Sequence, residues 1–368
     1  MSLPGPVTKP AALGAADRFL PVWILAAMAL GLALAVFAPA FGDLLHSFSI
    51  GSVSVPIAIG LLVMMYPVLA KVRYSDARAV AGDRKLLYSS LVMNWLVGPA
   101  LMFALAWAFL PDLPEYRTGL IIVGLARCIA MVLIWNDLAC GDREAAAFLV
   151  AVNSVFQVVA FSGLGWFYLQ VLPSWLGLPT TSASFSLWAI TLSVLVFLGI
   201  PLIAGYFSRR FGEATRGRAW YEGTFLPRVG PFALYGLLFT IVLLFALQGQ
   251  QVIDRPLDVV RIALPLLVYF AVTFIVGFVL GKFIGLSYER TTTLAFTAAG
   301  NNFELAIAVA IGTFGATSGQ ALAGIVGPLI EVPVLVGLVY VALWMRPRMF
   351  PTRSAVSAHH ELPVADRV

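Results

Sequence analysis

Charge is scarce in this chain: 11% of its 368 residues are Asp, Glu, Lys or Arg, against roughly a quarter in soluble domains. A water-facing surface cannot be built from so little polar material. With 61% hydrophobic residues and a mean hydropathy of +0.94, the excess apolar surface belongs in a bilayer. Histidine is rarer still. His46, His359 and His360 are the only ones, which excludes a His-Glu-x-x-His zinc site. There are two cysteines, Cys128 and Cys140. Twelve residues apart, they stand about 18 Å from each other along a continuous helix, so any thiol chemistry is single-thiol chemistry. Nucleotide fingerprints are missing as well. Gly277-x-x-x-Gly281 is a helix-packing motif, and with Lys282 it falls one residue short of a P-loop. No catalytic triad, cofactor motif or sizeable soluble domain supports an enzyme or a receptor, and no cofactor is expected.

Long apolar runs are abundant. They last about 20 residues rather than roughly 10 with alternation, which predicts helices and not barrel strands. Ten spans are expected: Phe19–Ala40, Val53–Ala70, Leu86–Leu110, Thr118–Asn136, Ala145–Leu169, Leu187–Phe207, Val229–Ala246, Ile262–Phe283, Thr291–Phe314 and Ala321–Trp344. The fold class is therefore an all-α integral membrane bundle. Basic residues fix its orientation. One side collects Lys9, Arg18, the 71–85 and 208–228 loops, Arg143, Lys282, Arg290 and the tail, whereas the other has Arg117, Arg255 and Arg261. Both termini are then cytoplasmic, in a multi-pass protein of the cell membrane. The net charge of +5 reports this topology and not a nucleic-acid partner.

The chain also repeats itself at an offset of 176. Gly124-x-x-x-Cys128-x-Ala130 maps onto Gly300-x-x-x-Glu304-x-Ala306, and Gly60-Leu61-Leu62 onto Gly236-Leu237-Leu238. Each half holds five spans, an odd number, so the halves enter the membrane from opposite sides as an inverted repeat. The expected organisation is a cytoplasmic segment 1–18, halves 19–170 and 186–345, and a disordered cytoplasmic tail 346–368. Helices 4 and 9 are the ones expected to break near the bilayer midplane. Gly124 precedes Arg127-Cys128, and Gly300-Asn301-Asn302 precedes Glu304; Gly and Asn accept non-helical backbone at little cost.

These breaks hold the candidate site. An ionised Glu304 in an apolar span costs on the order of 3 kcal/mol or more, and burial penalises the charged form, so the group can take and release a proton. Cys128 is either a small hydrophobe at a packing seam or, beside Arg127, a thiol for a soft substrate. Arg127 serves as counter-ion to Glu304 or Glu331, or steers an oxygen-rich substrate. Asn301 and Asn302 complete the candidate substrate site. Glu331 aligns with Gln157 at an offset of 174 and forms a second proton-coupling candidate. Asn153, Asn136 and Asn94 are expected to join neighbouring helices.

At "ARCIAMVLIWNDLA" (Ala126–Ala139) and "NNFELAIAVAIGTFG" (Asn301–Gly315), the chain resembles the arsenite efflux permeases, the arsenical-resistance branch of the bile acid/arsenite/riboflavin transporter superfamily. The resemblance runs from Phe19 to Trp344. It implies ten spans in two inverted halves, a fourth-helix cysteine (Cys128) in trivalent metalloid passage, and a ninth-helix glutamate (Glu304) in coupling. It also implies export of arsenite, in some members antimonite, driven by the proton gradient. A sodium-coupled organic-anion symporter of the same superfamily is the nearest rival, but that branch has glutamine four residues after the glutamate and this chain has Ala308. A passive metalloid channel is the rival of another class; it has no use for a buried titrating carboxylate.

Overall fold

The computed structural model describes residues 19–50, 53–71, 83–129, 131–180, 187–315 and 317–350. The expected 1–18 segment, Arg73, Arg78 and the His359-His360 pair lie outside them. Apart from one short antiparallel ladder, Ser49–Ile50 with Val53–Ser54, and one isolated bridge, the described secondary structure is helical.

Among the described residues, six helices are long and apolar enough to cross a bilayer unbroken: α4 (Arg84–Phe109), α7 (Arg143–Trp175), α8 (Trp188–Arg216), α9 (Arg218–Gln250), α10 (Pro256–Phe283) and α13 (Gly319–Met349). A bent pair supplies a seventh. In it, α1 (Leu20–Phe37) turns by 101° into α2 (Pro39–Ser47), because proline at the break donates no N–H to the preceding turn. Shorter helices complete the described fold: α3 (Val55–Ala70), α5 (Pro114–Leu125), α6 (Met131–Leu138), α11 (Tyr288–Ala299) and α12 (Phe303–Phe314). Helix starts carry the expected chemistry: the Asp83, Asp142 and Ser318 side chains accept N–H groups from the first turns of α4, α7 and α13.

Two expectations about boundaries are corrected. The 208–228 stretch is not a loop. α8 continues to Arg216 and α9 starts at Arg218, joined at Gly217, whose φ of +82° suits a residue without a Cβ. Arg209 consequently lies buried between Glu213 (2.6 Å) and Glu222 (3.4 Å) instead of in solvent. Likewise residues 346–349 do not belong to a disordered tail. They extend α13 to Met349, where Arg346 stacks on Tyr288 and reaches Glu289 at 3.4 Å, and basic residues in a last turn favour the helix dipole.

The helices sort into two packed groups. α1, α3, α8 and α9 form one, and α4 to α7 with α10 to α13 form the other; α7 and α12 also pack against the start of α8. Large apolar side chains such as Phe283, Val159 and Trp188 point outward and are mostly exposed, the surface that a bilayer covers. Between α4 and α5, Arg261 holds the Asp112 carboxyl down to about 2, chiefly through their hydrogen bond. Arg117, expected among the loop residues, is buried with its guanidinium 3.7 Å above the Trp107 ring.

Candidate functional site

Both expected breaks are present, and they meet. α5 ends at Ala126 (φ −87°, ψ 113°) and α11 at Gly300 (φ −72°, ψ 144°), each in extended backbone. Breaking a helix inside an apolar core frees N–H and C=O groups that lipid cannot satisfy. Here the two breaks satisfy each other. Arg127 and Asn301 form an antiparallel bridge; the Cys128 N–H donates to the Gly300 carbonyl at 3.3 Å and the Asn302 N–H to the Ala126 carbonyl at 3.0 Å. Gly300 has no alternative at this crossing, since a Cβ there would lie 2.9 Å from that of Cys128.

The remaining donors go to the next long helix, in matching fashion. The Arg127 N–H donates to Gln157 Oε1 at 2.8 Å, and the Asn301 N–H to Glu331 Oε1 at 3.3 Å; each acceptor lies 30 residues downstream of its donor. Arg127 and Asn301 thus correspond at the 174 spacing that relates Gln157 to Glu331. At the same spacing Cys128 corresponds to Asn302, two positions from the Glu304 correspondence expected at 176, while across the crossing it stands opposite Gly300. Asn301 Nδ2 also donates to Val123 O at 2.7 Å, and Asn302 Oδ1 caps α12 by accepting from the Leu305 N–H at 3.0 Å.

Arg127 corrects another expectation. It is neither Glu304's nor Glu331's counter-ion: its guanidinium donates to the Tyr269 hydroxyl at 2.7 Å and to the Gly124 carbonyl, and it makes no ion pair with a described carboxylate. The reason is direction. The side chain runs toward α4 and α10, where Gly98 leaves room for it; a Cβ on Gly98 would sit 2.6 Å from the guanidinium. A π-turn at Met93–Val97 directly precedes Gly98, a distortion common near functional sites. The charge is fully buried and its Nε has no partner.

Of the expected site residues, Cys128, Asn301, Asn302 and Glu304 line one narrow pocket. Arg127, Gln157 and Glu331 stand behind it and hold the crossing. Cys128 is buried and Glu304 half-buried. Asn301 Oδ1 and Asn302 Nδ2 have no protein partner. Asn136 and Asn153 do join helices, accepting from Thr293 Oγ1 (2.8 Å) and Trp95 Nε1 (3.1 Å). Asn94 does not, because it donates to Ser90 O in its own helix at 2.8 Å. The rest of the lining was not anticipated: it includes Met64 and Met65 of α3, with Met131 at the start of α6. Their signal in the sequence, two adjacent thioethers before Pro67, is faint in so apolar a helix.

Over 343 residues, 93% of each chain, the protein is 63% identical to the arsenical-resistance protein Acr3 of Corynebacterium glutamicum. The chain belongs to the Acr3 arsenical-resistance family, within the bile acid/sodium symporter superfamily. The broader relationship is carried by the sodium bile acid symporter family model, which matches residues 58–255. An Acr3 protein of Alkaliphilus metalliredigens is 32% identical over 340 residues, 90% of this chain and 93% of that one. A transporter of Synechocystis described as uncharacterized is 37% identical over 342 residues, 88% and 87% of the two chains. This Acr3-family chain is accordingly a membrane transporter and not an enzyme.

Proposed function

We propose that the protein exports arsenite from the cytoplasm in exchange for protons, with antimonite the second candidate substrate. The single observation that carries this reading is one thiol and one carboxyl, Cys128 and Glu304, lining one pocket where two broken helices cross. Trivalent arsenic hydroxide is small, neutral and soft. The Cys128 sulfur forms one S–As bond as one As–O bond breaks, and the thiol proton leaves with that hydroxyl as water; no electrons are transferred. One thiol holds the metalloid reversibly, whereas three would trap it. Glu304 is deprotonated while substrate is loaded and takes an external proton after release. Mutual exclusion of proton and substrate then gives exchange, and lining one pocket meets its requirement for proximity. Glu331, behind Asn301, is a second place for a proton.

The architecture we assign is ten spans in two inverted halves, 19–170 and 186–345, counting the α1–α2, α5–α6 and α11–α12 pairs as one span each. The matching donations to Gln157 and Glu331 support it. Both termini are placed in the cytoplasm by the distribution of basic residues. The sodium-coupled alternative is disfavoured by Ala308, buried and without a side-chain oxygen four residues after Glu304.

Arsenite uptake into everted membrane vesicles tests the reading. Wild type is expected to accumulate arsenite with an imposed proton gradient and to ignore a sodium gradient. Cys128→Ser is expected to lose at least tenfold in rate, and Glu304→Gln to lose its response to the proton gradient. Wild-type uptake that survives a proton uncoupler points to a channel, and uptake that follows sodium points to the symporter.

A further inference from the structure

The methionine lining of the pocket deepens the proposed function, and the inference drawn from it rests on that reading. Three of the chain's nine methionines, Met64, Met65 and Met131, line the same pocket as Cys128. All three are buried, at 4%, 2% and 8% exposure. Met64 is held in place by close helix packing: a Cβ on Gly236 of α9 would lie 2.9 Å from the Met64 Cβ. The pocket is also built for a ligand on its other side, since Asn302 is 1% exposed and its Nδ2 lacks a partner.

We propose that the Met64, Met65 and Met131 thioethers act with the Cys128 thiol as a sulfur lining that determines specificity, ranking trivalent hydroxides by softness. If apolar filling were the whole requirement, leucine or isoleucine would serve at all three positions. A thioether adds a neutral, polarisable lone pair. Once Cys128 has displaced one hydroxyl, the metalloid still presents faces opposite its remaining bonds to oxygen. Thioether sulfur donates density to those faces without breaking a bond or moving a proton. The gain grows with the size and softness of the central atom. Antimony therefore benefits more than arsenic, and hard boron of similar shape benefits not at all.

The test uses the full chain in everted vesicles under a fixed proton gradient, with antimonite, arsenite and boric acid as probes. Methionine is replaced by leucine, nearly equal in volume, at each position singly and at all three together. In the triple variant the antimonite KM is expected to rise about tenfold, equivalent to about 1.4 kcal/mol, and the arsenite KM about twofold. Boric acid should inhibit neither the wild type nor the variant. Preparation of the wild type with selenomethionine, which leaves the fold intact and softens the wall, is expected to raise antimonite preference over arsenite about twofold. If the triple variant fails to insert, the single variants and the selenomethionine protein decide the matter. An unchanged antimonite-to-arsenite ratio in variants that still move arsenite overturns the sulfur lining and leaves arsenite export standing. Wild type that moves neither metalloid overturns both.

Discussion

Arg127 is the residue at which the expected pairing and the observed geometry part most sharply. A guanidinium followed by Cys128 in an apolar span asks for a carboxylate, and Glu304 and Glu331 are the carboxylates inside the expected spans. Instead it is solvated by a tyrosine hydroxyl and a helix-end carbonyl. Removing one member of a buried ion pair strands the other charge and costs stability, whereas removing Arg127 strands no opposite charge, only a neutral hydroxyl and one carbonyl. Arg127→Met is therefore expected to keep or raise the thermal midpoint of the detergent-solubilised protein while lowering arsenite transport at least tenfold. A large drop in the midpoint would show that the charge is structural. The residue type was legible in the sequence; its direction was not, because Gly98 and Tyr269 lie on other helices.

At the scale of the element, the breaks themselves could be read from Gly124, Gly300, Asn301 and Asn302, since these residues cost little outside a helix. Their mutual pairing could not be read. Which carbonyl receives the Cys128 N–H depends on two helices more than 160 residues apart in sequence arriving side by side. Packing at the same place is tight. A Cβ on Gly327 of α13 would fall within the Phe303 ring, the first residue of α12. Gly327→Ala is expected to destabilise by about 1–3 kcal/mol, the range for overpacked cores, seen as a lower thermal midpoint. Phe303→Leu in the same chain should restore part of it; no recovery would mean that the strain lies elsewhere. The boundaries of α8, α9 and α13 escaped the sequence reading for a related reason. Charged residues ended the apolar windows, but the helices continue because Arg209 and Arg346 find acidic and aromatic partners.

For the whole molecule, the proposed orientation has a direct consequence. In a chain with Cys128→Ser and Cys140→Ser, a cysteine at Ser174, exposed in the last turn of α7, should react only with a membrane-impermeant thiol reagent added outside. One at Ala219, exposed at the start of α9, should react only from the cytoplasmic side. Labelling of both from one side would overturn the inverted halves.

The sequence by itself determined that this is a helical membrane protein, that its fourth and ninth helices break, and which thiol and carboxyl are the candidates for the site. Those properties depend on local composition and on the cost of placing polar groups in hydrocarbon, both of which are written along the chain. Only the tertiary structure decided that the two breaks hydrogen-bond each other, that Arg127 turns away from both glutamates, and that three methionines line the pocket with Cys128. Each depends on how separate helices pack, and close packing is set by the shapes of side chains that meet across the fold rather than by neighbours in sequence.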